Sequence, residues 1–498
     1  MQRTKSYATI GAAAAAGADD EPFRRFRSVT LFSGTGAAPD YTSPFDFDAF
    51  IPWVCKQWCT STSVLIISKT QDQYVKYGSK RTSKSKVKKT KTLEELTPHS
   101  SIKLENKMSV LGGKTVPIIA YYDVKHRLVE LAIIGSTTEV SRKIFHALSL
   151  SIPYHSMLTR FTFRRSLTTY LIIYEINRLL PISSITEVCF DDTYVKEGNY
   201  YILLENSSQV RYLSLNRCRI NDDICKKIFS NLGIGTQASQ GLQCLELGTN
   251  EITDVGAKYI ASVLRVNRYL LHLNLSGNKI TDIGFIPILD SLMEFKLTRE
   301  ENMELKRRKL YFLNNKMEVY SRCLAELKYG KSDDLDNAAS SGRKLLMRRL
   351  RRKSRKIIAE QSVQDIAEMM AKGIVGVFHD PFSDDNVEYK NCGLYSKGNL
   401  VMCYINIAYN QIGYASVQRL AQVLSYQDSI IKSDDSGLVR ITLDGNPIPN
   451  DCWELCEIDM YFKKILYLRT VSKKNRTSTI FSKKSYSKPG TPSVSTTS

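Results

Sequence analysis

A pattern of Leu-x-x-Leu-x-Leu-x-x-Asn-x-Ile, recurring along the chain, constrains this 498-residue protein more than any other feature. Leu242, Leu245, Leu247, Asn250 and Ile252 fill it, and Leu270, Leu273, Leu275, Asn278 and Ile280 fill it again 28 residues later. It resumes with Met402, Ile405, Ile407, Asn410 and Ile412, then with Leu438, Ile441, Leu443, Asn446 and Ile448. Upstream, Val210, Leu213, Leu215, Cys218 and Ile220 put a cysteine in the asparagine slot. Fainter units run through Ile185, Val188 and Phe190, through Leu158, Phe161 and Phe163, and through Leu128, Leu131 and Ile133. Their asparagine slots hold Thr193, Ser166 and Ser136. A unit this short cannot bury its apolar side alone, so copies must stack and cover one another.

Each position has a physical role. The Leu-x-Leu core alternates with period two, so it reads as a short strand with leucines inward and their neighbours on the opposite face. The side chains of Asn250, Asn278, Asn410 and Asn446 can bond backbone groups that the following turn leaves unpaired. In "ITDVGAKYIASVL", Thr253 or Asp254 caps a helix whose apolar face continues at Ile260, Val263 and Leu264. The expected fold is an α/β solenoid over about residues 120–470, a horseshoe with parallel strands concave and helices convex.

The stretches "TDVGAKYIASVL" and "TDIGFIPILDSL" resemble the ribonuclease-inhibitor-like class of leucine-rich repeat. Residues 242–310 are similar to a narrower group of leucine-rich-repeat proteins, in which a charged insertion also follows such a repeat. That resemblance implies a non-catalytic component of motile cilia or sperm flagella, placed in the cytoplasm or on the cytoskeleton. The later repeats match the group only in layout.

The stack is interrupted after its third strong repeat. From Asp282 the helix is expected to run on without a stop through "SLMEFKLTREENMELKRRKL", since no glycine follows Ser291 before Gly330. A flexible "KSDDLDNAASSG" and a second helix from Arg343 follow. The expected segments are a low-complexity lead (1–50), a poorly defined basic region (51–119), first repeats (120–296) and a charged insertion (297–392). Second repeats with a cap (393–470) and a disordered basic tail (471–498) complete the chain. The insertion leaves after a helix and returns before a strand, and its closure entropy grows only logarithmically with length. Residues 270–296 and 402–424 are therefore expected to remain neighbours, with the hydrophobic contacts confined to the repeats.

Charge is unevenly placed. Residues 76–118, 297–360 and 463–498 carry +8, +9 and +9 of a total of +20, which leaves the remainder at −6. The densest run, residues 343–356, includes Arg348, Arg349, Arg351, Arg352 and Arg355 and reads first as a solvated helix face, with a basic patch for an acidic protein surface or for nucleic acid as the functional alternatives. No stretch approaches the roughly 20 apolar residues of a membrane span. "IGAAAAAGA" is followed at once by Asp19, Asp20 and Glu21, which suits a low-complexity lead better than a secretory signal.

Chemistry is sparse. The 11 cysteines are scattered, with close pairs only at Cys55–Cys59 and Cys452–Cys456. They read as free thiols of a reducing compartment, with no metal or cofactor expected. "GIGTQASQG" at 233–241 lies between a helix and a strand, so it reads as a long loop and not as a phosphate cradle. His272 reads as an exposed contact residue, having no Cys or second His nearby in the chain. The expected binding surface is the concave face: Arg160, Arg164, Glu187, Asp191, Tyr212, Asn216, Glu246, His272, Asn274, Tyr404, Asn406, Arg440 and Asp444. Its mixed charge and two tyrosines suit a protein partner better than nucleic acid, and the resemblance noted above implies an axonemal or tubulin-containing one. The alternatives are a GTPase regulator of the Ran-activator type and a nucleic-acid-associated protein using the basic segments.

Overall fold

A computed structural model of the chain describes residues 42–58, 62–70, 115–205, 209–329, 363–391, 393–430, 437–449 and 451–482. Two units separate, Met1–Ser43 and Pro44–Ser498, and every described element lies in the second. Eight strands carry the repeats: β3 (Leu128–Ile134), β4 (Arg160–Arg164), β5 (Glu187–Cys189), β6 (Tyr212–Ser214), β7 (Cys244–Glu246), β8 (His272–Asn274), β12 (Tyr404–Asn406) and β13 (Arg440–Thr442). They form one parallel ladder in that order. Leu213, Leu245, Leu273 and Ile405 lie in register and are fully buried. Helices Asp222–Ser230 (α5), Asp254–Leu264 (α6), Asp282–Asp290 (α7) and Tyr414–Ile430 (α10) stack beside one another behind the strands. The fold is a leucine-rich-repeat solenoid.

The asparagines stitch each layer to the one before it. Asn278 donates to the carbonyls of Leu247 (3.0 Å) and Leu275 (2.9 Å) and accepts from the Ile252 amide (3.1 Å). Asn410 makes the same bonds to Leu275 (2.9 Å), Ile407 (3.1 Å) and the Ile280 amide (3.1 Å). Asn250 and Asn446 repeat the pattern on Leu215 and Ile407 of the preceding layers. The upstream substitutes do less: Thr193 and Cys218 each donate to the previous layer, at Phe163 (3.1 Å) and Phe190 (3.2 Å). Neither side chain carries the amide's separate donor and acceptor.

A second ladder settles the two capping candidates. Thr253 caps its own helix at the Val255 amide (3.3 Å). Asp254 instead accepts from the backbone and hydroxyl of Thr281 in the next repeat, both at 2.7 Å. Asp222 serves Thr253 in this way, and Asp282 serves Gly413 across the insertion (2.8 Å). A Cβ on Gly284 would lie 2.5 Å from the Asp254 carboxylate, which is why the motif needs glycine there.

The interruption differs from the continuous helix expected from sequence. α7 stops at Asp290, and the returning chain takes up its end: the Asn399 amide bonds the Ser291 carbonyl (2.8 Å), and Gln427 bonds that of Leu292 (3.0 Å). A short strand follows, β9 (Phe295–Lys296), which joins β10 (Val387–Lys390) and β11 (Gly393–Ser396) in a separate antiparallel sheet. A new helix, α8 (Arg299–Tyr329), then starts at a reciprocal cap: the Glu301 amide bonds Thr298 Oγ1 (3.1 Å), and the Thr298 amide bonds Glu301 Oε2 (2.8 Å). α8 packs on α9 (Val363–Val375). The hydrophobic contacts are not confined to the repeats either. Phe295, Leu297, Leu305 and Phe382 form a second small core against Val266, and Arg265 binds Glu301 beside it (2.7 Å). Residues 330–362, with the whole arginine patch, lie outside the described residues.

Both ends of the sheet are built differently from the repeats. Residues 51–119, expected to lack definition, contribute β1 (Ser63–Thr70) and β2 (Thr115–Tyr122), and helix α1 (Phe47–Gln57) spans the boundary drawn at 50. β1 and β2 run parallel to each other, but β2 pairs antiparallel with β3 through a turn in which Asp123 accepts from the Lys125 and Arg127 amides. Phe47, Phe50, Ile51 and Val54 bury the apolar end of the stack. At the other end α11 (Trp453–Ser482) caps the last repeat with Ile458 and Tyr461. It continues to Ser482, past the 470 at which a disordered tail was expected, and no proline or glycine interrupts it before Pro489. Among the described residues no helix is long and apolar enough to cross a membrane.

Candidate functional site

The parallel register sorts the inner-face residues into rows whose members lie about 4.8 Å apart along the stack. One row reads Glu130, Arg160, Glu187, Tyr212, Cys244, His272, Tyr404, Arg440. The next reads Ala132, Thr162, Cys189, Ser214, Glu246, Asn274, Asn406, Thr442. Nine of the thirteen expected contact residues stand in these rows, and Arg164, Asp191, Asn216 and Asp444 stand just past them where the strands end.

The start of the row is charged and self-paired. Arg160 Nε donates to Glu187 (2.7 Å), and Thr162 donates to Glu130 (2.9 Å). The centre is aromatic: the His272 and Tyr404 rings meet edge to face at 4.2 Å, and Arg440 lies 5.9 Å from the Tyr404 ring centre. Tyr404 also shares a hydrogen bond with Thr442 (3.1 Å). Burial, followed by the charge of Glu246, pushes the Tyr212 hydroxyl up, so it remains protonated. Three amides are engaged by backbone: Asn216 Oδ1 accepts from Gly248 (2.6 Å), Asn274 from Ser276 (3.0 Å) and Asn406 from Ala408 (3.1 Å). Asp191 likewise accepts from Ser214 (2.6 Å) and the Asn216 amide (3.0 Å).

At the rim, the residue preceding each asparagine slot has left-handed backbone. Gly135, Gly277 and Gly445 adopt it freely, whereas Arg165, Asp192, Arg217, Thr249 and Tyr409 adopt it with side chains that disfavour it. In three consecutive layers those side chains converge: Arg217 and Arg165 both bind Asp192, and Arg164 joins them (3.4 Å). The Arg217 hydrogen bond, reinforced by the surrounding positive charge, holds the Asp192 carboxyl down at about 2. One carboxylate thus faces three guanidinium groups.

Sequence proximity misplaces His272. Its register partner is Cys244, one repeat upstream, and Glu246 lies within 3.3 Å of His272 Nε2. The spacing between Cys244 and His272 equals the 28-residue interval between Leu245 and Leu273, a signal available in the sequence. Cys189, Ser214, Thr162, Asp192 and Arg217 are also inner-face or rim residues that the sequence reading omits. Burial, then Glu246, raises the Cys244 thiol; burial lowers His272 against the opposing pull of Glu246. The glycine-rich loop lines a cleft with Arg268, Asp380 and Asp385, and those two carboxylates make it a poor phosphate cradle. All described cysteines are free thiols.

A family model described as a leucine-rich repeat matches residues 238–261 and 266–289. Both matched stretches are repeats of the solenoid described above. The repeats extend well beyond the two matched copies, as the asparagine ladder shows from Asn250 to Asn446. Among solved structures, an internalin (inlF) from Listeria monocytogenes is similar at 12% identity over 67% of this chain and 87% of its own, with a TM-score of 0.17. A likeness of that size carries no argument, and the fold rests on the strand register. No curated protein matches the chain.

Proposed function

We propose that this protein is a non-catalytic scaffold that holds a protein partner on its concave face, and that the partner presents an acidic segment to the arginine rim. The observation that carries this reading is the convergence of Arg164, Arg165 and Arg217 on a single carboxylate, Asp192, beside the Tyr212–Tyr404 row. Aromatic anchors surrounded by charge are the usual composition of an energetic centre in protein recognition. Unbalanced positive charge adds steering towards an acidic surface.

The similarity of residues 242–310 to leucine-rich repeat-containing protein 71 supports a place in the ciliary or flagellar axoneme. The acidic tails of tubulin have the chemistry the rim would take. The +8, +9 and +9 segments of the chain would add non-specific attraction of the same sign. Co-sedimentation with microtubules tests this. Binding is expected to weaken steeply with salt and on removal of the acidic tails. Replacing Tyr212, His272 and Tyr404 with alanine should abolish capture of a specific partner and leave the salt slope nearly unchanged. Neutralising Arg348, Arg349, Arg351, Arg352 and Arg355 should reduce that slope. Binding indifferent to both tails and ionic strength, or a tight preference for RNA in competition, would overturn the proposal.

A further inference from the structure

We propose that Cys244, Glu246 and His272 form a binding site for a divalent zinc-like ion on the inner face of the solenoid, with a fourth coordination position open to the concave side. Their donor atoms all lie within 4.8 Å of one another. The His272 Nε2 to Glu246 Oε1 distance is 3.3 Å, and the Cys244 Sγ to Glu246 Oε1 distance is 3.6 Å. Tetrahedral zinc, with bonds of about 2.0–2.1 Å to nitrogen or oxygen and about 2.3 Å to sulfur, requires N···O and S···O edges of about 3.3 Å and about 3.6 Å. Two edges of such a tetrahedron are therefore already set without an ion.

The register explains why the three groups meet. Cys244 and Glu246 are two residues apart on β7 and share one face, while His272 is the partner of Cys244 on β8. The supporting contacts are also in place. Asn274 Nδ2 holds the second carboxylate oxygen of Glu246 (2.5 Å), and the Tyr404 ring fixes the imidazole plane from the other side. Groups that orient ligands in this way commonly carry a 10–100-fold share of metal affinity, by order of magnitude. The chemistry balances: a divalent ion joins a neutral imidazole, a carboxylate and a thiol, and the thiol proton leaves to solvent. The product is electrically neutral, which suits a half-buried position better than an isolated charge. The set mixes nitrogen, sulfur and oxygen donors, which favours zinc or cobalt over calcium or magnesium. Three protein ligands with an open position mark a site that can accept water or a donor from a bound molecule, whereas structural zinc sites are closed by four.

The test is titration of the reduced, chelator-free full chain with Co2+, followed by displacement with Zn2+. One equivalent of Co2+ should produce a thiolate-to-cobalt charge-transfer band and the intense visible bands of tetrahedral cobalt, with release of one proton. Zn2+ should erase both. C244S should remove the charge-transfer band, H272Q should weaken binding at least about tenfold, and E246Q should weaken it while keeping the sulfur band. Asn274→Ala should weaken binding about tenfold without changing the band pattern. C456S, at an exposed thiol elsewhere, should change nothing. Circular dichroism melting of each variant separates lost binding from lost folding, and E246Q and H272Q keep the reporter thiol intact. Absence of cobalt bands, or bands unchanged in C244S and H272Q, would overturn the site.

Discussion

Leu273→Ala is expected to lower the unfolding free energy by about 2–5 kcal/mol, because it removes a fully buried side chain from a layer closed on both sides. Leu245 lies on one side of it and Ile405 on the other. The second neighbour makes the mutation informative, since it returns to the stack only after the insertion. Ile405→Ala should cost a comparable amount. The double mutant should cost less than the sum of the singles, because residues sharing one cavity couple. Urea melts of the four proteins measure this. Full additivity would mean that the two side chains do not share a core.

Asn410→Ala should be nearly as damaging, although it removes a polar side chain. Its amide satisfies the Leu275 and Ile407 carbonyls and the Ile280 amide, all in the buried interior. Alanine leaves these groups unpaired, at about 1–3 kcal/mol for each group that neither water nor a neighbour can reach. A total loss of about 2–5 kcal/mol follows, given partial relaxation. Thr193→Ala, which removes one weaker link to Phe163, should cost only about 1 kcal/mol. Chemical denaturation of both variants gives the comparison. An equal effect at the two sites would show that the asparagine geometry contributes nothing beyond a single hydrogen bond.

The repeats were legible because period and chemistry coincide: leucines at two-residue spacing, then an asparagine that only a buried turn requires. Continuity across the insertion was also legible, from the places where the insertion leaves and returns. What escaped reading were the short-range signals that compete with helix propensity. "LTREE" holds Thr298 and Glu301 at capping-box spacing, but the surrounding helix formers hide the break between α7 and α8. The hairpin joining β2 to β3 lacks a glycine, and its turn is made by the Asp123 carboxylate and by His126 in left-handed conformation. The first repeat strand is therefore joined by an antiparallel neighbour, which the repeat template does not describe. The inner face was legible as a list and not as a geometry. Alternation places Tyr212, His272 and Tyr404 on one side, but only the register puts Cys244 beside His272. The convergence on Asp192 depends on left-handed turns at Arg165 and Arg217, which no periodic pattern of hydrophobicity marks.

Native-state hydrogen exchange at the layer junction tests the continuous stack most directly. The Leu275 amide donates to Asn406 (2.7 Å), and the Gln411 amide donates to Ile280 (2.9 Å), so both bonds join segments on opposite sides of the insertion. The uninterrupted junction offers the reference, where the Leu247 amide donates to Asn274 (2.8 Å). One cooperative solenoid predicts that Leu275 and Gln411 exchange as slowly as Leu247, through opening of the whole stack. Exchange of Leu275 and Gln411 at the rate of exposed loops, with Leu247 still protected, would show two separate half-solenoids and contradict a single concave face.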